Sequence, residues 1–156
     1  MKLYHGSTTS IKKIDISKSK PNKDFGKAFY LSVDERQALE MAYYKAELNN
    51  ATPVVNTYEF DENLLPQFHF KSFDGYTEEW ALFVFNNRTD PTGMTAHDFD
   101  IVYGPIANDR IGAQITRFKQ GYITFEEFLN RIKYIKGITF QYAFCTQRAI
   151  DKLVKL

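Results

Sequence analysis

His5 and Gly6, in the short run Leu3-Tyr4-His5-Gly6-Ser7, and Tyr30, in Phe25-Gly26-Lys27-Ala28-Phe29-Tyr30-Leu31-Ser32, are the residues of this chain best suited to chemistry. An imidazole hydrogen-bonds a hydroxyl and a phenol ring offers a stacking face. A glycine lets backbone approach a ligand where a side chain would collide. Together, with Ser7 extending the polar end of the first run, they are what a site gripping a flat, ribose-bearing ligand needs. A third polar segment lies late in the chain, where Gln141 and Tyr142 interrupt Ile138-Thr139-Phe140-Gln141-Tyr142-Ala143-Phe144-Cys145-Thr146. Glutamine can hold a hydroxyl but can neither act as a base nor carry charge.

Each of these residues also has an ordinary explanation. Alone, His5 reads as a structural histidine, Tyr30 as one of ten tyrosines in a core, and Gln141 as a strand residue pairing with a neighbour. The adjacency of His5 to Gly6, matched by the tyrosine and glutamine segments, favours a ligand role. Glu79, with Glu78 and Trp80, opens a helix, where acids suit the helix dipole as a solvated first turn. If that turn faces a cleft, Glu79 is the carboxylate available as a general base. Asp100 and Asp109 flank Gly104-Pro105 and Ala107-Asn108, a polar cluster explained by a turn followed by a helix cap.

Other chemistries find no support. His69 and His97 lie far apart without metal-ligand spacing, so no metal is expected. There is no Gly-x-Ser-x-Gly elbow and no Gly-x-x-x-x-Gly-Lys-Ser/Thr loop. Cys145, beside Phe144 in an apolar run, reads as packed rather than nucleophilic, because nothing near it in sequence would lower its pKa.

The elements that must position these groups are short strands and capped helices. Residues 2–5 and 26–31 read as strands, joined by the lysine- and serine-rich stretch Ser17 to Lys23, a surface loop. Ser32-Val-Asp-Glu35 has the form of a capping box, with Val33, Ala38, Leu39, Ala42 and Ala46 on one face of the helix that follows. Tyr30 thus falls where a strand turns into a helix. Strands are expected over 54–60, 67–71, 100–106 and 138–145. Helices are expected over 77–87, 108–119 and 124–135, with a last one capped by Thr146. Strands at both ends and helices between them give an α+β order rather than the regular alternation of a doubly wound sheet.

Composition bounds the rest. The 156 residues, 44% hydrophobic and 16% aromatic, form one domain spanning 1–156. A net charge of +1, from 20 basic and 19 acidic residues, gives no polyanion-binding surface. The single cysteine fits a reducing compartment. No secretory signal is visible, and no apolar stretch approaches the ~20 residues that span a bilayer. A cytoplasmic protein without membrane association is the expectation.

The two opening segments resemble those of the ADP-ribosyltransferase superfamily, in the branch of diphtheria toxin and the poly-ADP-ribose polymerases. In that branch a His-Gly on the first strand and a Tyr after a Gly-Lys-Gly-like turn hold the nicotinamide end of NAD, and a Glu on a late strand completes the site. Here Gln141-Tyr142-x-Phe144 approximates the late Glu-Tyr-x-x-Tyr strand, with Gln in place of Glu. The stretch around Asp100-Ile-Val-Tyr-Gly-Pro-Ile-Ala-Asn-Asp109, with Glu79-Trp80 and Asn87-Arg88, also resembles an uncharacterised bacterial domain family grouped with these transferases.

The resemblance implies a split pair of small sheets with helices around them, and transfer of ADP-ribose from NAD to a macromolecule, protein or nucleic acid, with nicotinamide leaving. It implies that His5 bonds the ribose hydroxyls, that the Gly6 backbone meets the carboxamide, and that Tyr30 stacks on the ring. Tyr43 or Tyr44 would add a second wall, and Gln141 would anchor the 2′-hydroxyl. A toxin-like or defence role in a bacterium follows, with an antitoxin or regulatory partner in such a setting. Because glutamine replaces the acid, the alternative is a domain that binds NAD or a related nucleotide without turning it over. Sequence does not fix the acceptor or the oligomeric state.

Overall fold

The computed structural model describes residues 1–132 and 138–156, and it is an α+β assembly of two open sheets and several helices. The first sheet has the order β1-β3-β7, formed by β1 (Lys2–Ser7), β3 (Val54–Glu59) and β7 (Val154–Lys155), all antiparallel. The second has the order β2-β6-β5-β4, formed by β2 (Phe29–Leu31), β6 (Phe140–Phe144), β5 (Ile101–Pro105) and β4 (Phe70–Ser72). Only β4 and β5 run parallel. An isolated bridge joins the sheets, in which Tyr4 and Ser32 exchange two backbone hydrogen bonds of 2.8 Å.

Helix α1 (Glu35–Asn49) lies against β1. Its buried residues are Ala38, Ala42 and Ala46, an i, i+4, i+8 stripe whose small side chains let the strand come close. The cap is Asp34, whose carboxylate accepts from Arg36 N at 2.9 Å; the expected Ser32 box does not form. Ser32 makes a local turn instead, accepting from Asp34 N at 2.9 Å and donating to Gln37 Oε1 at 2.6 Å. Val33 and Leu39, expected on the packed face, are exposed.

Helices α2 (Glu78–Arg88), α3 (Asp109–Lys119) and α4 (Phe125–Ile132) cover the second sheet. Their core holds Phe25, Phe73, Trp80, Val102, Ile111 and Phe128, and the buried indole N–H of Trp80 donates to Pro105 O at 3.1 Å. A second core mixes residues of both sheets, among them Leu3, Leu31, Tyr58, Ile101 and Phe144. An ion pair between the largely buried Asp24 and Arg88 ties these layers, since Asp24 also accepts from Ala107 N at 2.9 Å.

Several boundaries differ from expectation. The strand expected over 67–71 is displaced to Phe70–Ser72, because Asp61 caps a 3-10 turn over Glu62–Gln67. The strand expected from residue 26 starts at Phe29, since Gly26 sits in a turn with φ +83°. The last helix, α5 (Gln147–Ile150), is only four residues long and gives way to β7, a strand with no sequence signal. Of the helix expected over 124–135, positions 133–135 lie outside the described residues. No helix among the described residues is long and apolar enough to cross a membrane.

Candidate functional site

The Tyr4–Ser32 bridge sets the site, because no further backbone pairing joins β1 to β2 among the described residues and the edge beyond it is left open. His5 stands at that edge with its ring stacked on Phe29 at 4.3 Å between centroids. Its Nδ1 lies 2.7 Å from Tyr30 O. A carbonyl only accepts, so Nδ1 carries the proton. Burial, above all, and then Lys45 and Lys155, outweigh that hydrogen bond and push the imidazole pKa from 6.5 down to about 4. The ring is therefore neutral at physiological pH, and Nε2 keeps a lone pair with no protein partner among the described residues. Since no buried side-chain nitrogen or oxygen among them is left unpaired, Nε2 reaches solvent.

Gly6 follows on the same edge. Backbone groups of alternate strand residues point the same way, so Gly6 turns its N–H and C=O where Tyr4 does, past the bridge. Lys45, from the third turn of α1, donates to Gly6 O at 2.7 Å. The glycine is required here for a reason other than the expected one. A Cβ at Gly6 would collide with Ala38 O and lie 2.7 Å from Ala42 N, so the missing side chain makes room for α1 rather than for a ligand.

Tyr30 and Gln141 complete the enclosure. His5, Gly6, Tyr30 and Gln141 all line one cleft of about 100 Å³, together with Tyr4, Gln37, Met41, Lys45 and Ile106. The Tyr30 hydroxyl is already committed, however, donating to Gly26 O at 2.6 Å and accepting from Phe25 N at 3.0 Å. Burial raises its pKa well above the ordinary 10.0, so it stays a phenol. Gln141, paired across the sheet with Gly104, also lines the cleft. Its amide has no hydrogen-bond partner among the described residues. At about 100 Å³ the cleft suits one ring rather than a drug-sized ligand, for which roughly 300 Å³ or more is usual.

Other sequence candidates fall elsewhere. Glu79 does not line the cleft, because its carboxylate is paired with Lys71 on β4. Ser7 accepts from Thr9 N, and Tyr43 and Tyr44 stand on the solvent side of α1 with 58% and 59% exposure. Asp100 holds Arg148, Thr146 and the His69 N–H, while Asp109 lies in the first turn of α3 behind its cap, Asn108. The Cys145 thiol is pushed by burial up to about 12, consistent with a packed residue. No group of His, Cys, Asp and Glu among the described residues could hold a metal ion.

Two larger hollows open elsewhere, about 560 Å³ beside Met1, Phe60 and Asp151, and about 450 Å³ beside Lys12, Ile14 and Phe29. Neither is lined by His5, Tyr30 or Gln141, so chemistry points to the smaller cleft. Sequence reasoning missed Gln37, Met41 and Lys45, which a spacing of four along α1 places on one stripe. That spacing was the available signal, but polar residues on a helix ordinarily mark a solvated face. No curated protein and no solved structure matches the chain. A family model does, over residues 1–155, and the chain belongs to the family described as "Protein of unknown function (DUF3990)".

Proposed function

We propose that the chain is an ADP-ribosyltransferase-like domain whose cleft takes the nicotinamide end of NAD. The observation that carries this reading is the meeting of His5, Tyr30 and Gln141, far apart in sequence, around one ring-sized cleft at the junction of two sheets. In this account His5 Nε2 accepts a ribose hydroxyl, the Gly6 N–H on the open edge meets the carboxamide oxygen, and the Gln141 amide holds the 2′-hydroxyl. The activity such a site would serve is transfer of ADP-ribose to a macromolecular acceptor, in a toxin-like or defence setting.

Cleavage of the bond between nicotinamide and ribose passes through an oxocarbenium-like state that a nearby negative charge stabilises. No carboxylate lines this cleft among the described residues, and Lys45 brings a positive charge. That observation favours the second reading, an NAD-binding module with little or no turnover.

Incubation with labelled NAD and cell lysate separates the two, with label on macromolecules and free nicotinamide as readouts. Gln141→Glu should raise nicotinamide release about 100-fold or more, the scale on which one transition-state contact is felt. If neither the protein nor Gln141→Glu binds NAD, both readings fall.

A further inference from the structure

Lys45 is a cation held inside the cleft without a counterion. Its ammonium donates to Gly6 O at 2.7 Å and is half-buried, and no acidic residue lies among those lining the cleft. No salt bridge to Lys45 occurs among the described residues, and the five others, Lys133 to Gly137, include no acid. An ammonium has three N–H donors, and one carbonyl satisfies only one of them. Burial, followed by the repulsion of Lys23 and Lys20, pulls its pKa below the usual 10.5, the signature of a charge that lacks a partner. Placing an uncompensated charge out of water is unfavourable unless something opposite in sign joins it.

The polar groups around Lys45 share its preference. The Gly6 N–H faces the same edge, and Gln37, eight residues before Lys45 on α1, has its Oε1 occupied by Ser32 and its amide N–H groups unclaimed among the described residues. Donors thus gather around Lys45, and His5, whose Nε2 has no partner among the described residues, lines the same cleft. We infer that the cleft selects a planar ring bearing a carboxylate, with Lys45 as the residue that reads the charge. The choice of ring rests on the nicotinamide-site reading above, and the charge preference rests on Lys45.

Nicotinate and nicotinamide differ at this one group and are the probes. Titrated against the full chain by calorimetry or by amide chemical shifts, nicotinate should bind at least about tenfold more tightly than nicotinamide, the worth of one charge-assisted hydrogen bond. Lys45→Met, which keeps the apolar stem, should erase that preference, and Lys45→Arg should retain it. Equal or tighter binding of nicotinamide to the unaltered protein overturns the inference while leaving the NAD site standing. Binding of neither probe overturns both. A preference that survives Lys45→Met removes Lys45 as the selector, and the comparison on the unaltered chain decides the charge preference even where a variant fails to fold.

Discussion

His5 and His97 begin alike and end differently. Each imidazole is held neutral chiefly by burial, and each gives one ring N–H to a backbone carbonyl at 2.7 Å, Tyr30 O for the first and Phe25 O for the second. The remaining nitrogen separates them. His97 Nδ1 accepts from Phe99 N at 3.0 Å, and its ring lies among Phe83 and Phe99, so the side chain is saturated and serves as a brace. His5 Nε2 meets no protein group among the described residues, and His5 lines the cleft. Burial and a lowered pKa are common to both and therefore do not distinguish a site from its scaffold. The number of satisfied ring nitrogens does.

The largest effect expected on the cleft side is at Gly6. Gly6→Ala would drive a methyl group into the Ala38 carbonyl and should cost about 3 kcal/mol or more, as overpacking against backbone does. Urea unfolding reads this directly, and a loss below about 1 kcal/mol would show that β1 and α1 separate easily.

Next comes acid. Between pH 6.5 and about 4 the unfolded chain takes up a proton that the folded His5 refuses, so stability should fall as pH drops through that window. The fall should reach up to about 3 kcal/mol, at 1.36 kcal/mol per unit. His5→Asn should remove this part of the acid limb, and an unchanged limb would show that the ring titrates normally.

The two histidines should then part company under substitution. His97→Ala leaves the Phe25 carbonyl and the Phe99 N–H without their partner and should cost about 2 kcal/mol, with ligand affinity unaltered. His5→Gln should weaken binding of NAD about tenfold, the worth of one hydrogen bond to the ligand. Equal effects of both variants on binding would dissolve the distinction. Smallest of all, Glu79→Ala should change stability by less than about 0.5 kcal/mol and leave nicotinamide release unaffected, because its partner Lys71 is met at the surface. A loss of turnover in that variant would return Glu79 to the chemistry.

Much of the scaffold was legible because local rules and tertiary packing agree. Thr77, Asn108 and Thr146 cap helices as their types suggest, and β1, β3 and β5 lie within a residue or two of the runs that announce them. At the start of α1 the sequence misled: Ser32 was expected to cap the helix, but Asp34 does so and Ser32 is drawn into a turn with Gln37. β7 is two residues of edge strand, defined by its partner β3 rather than by its own pattern. At the site, His5, Tyr30 and Gln141, expected together from the resemblance, line one cleft. The use made of each candidate was not legible, since Gly6 serves helix packing, Tyr30 spends its hydroxyl on the Gly26 turn, and Glu79 turns to Lys71. Each outcome is decided by which neighbour arrives from elsewhere in the chain.

The Tyr4–Ser32 bridge has a spectroscopic consequence. Two amide hydrogens carry the contact between the sheets at the cleft's edge, each in a single 2.8 Å bond and without the cooperative protection of a long ladder. Their exchange with deuterated solvent reports the breathing of that seam, and a ring lodged beside it would slow exactly that pair before it altered the interior of either sheet.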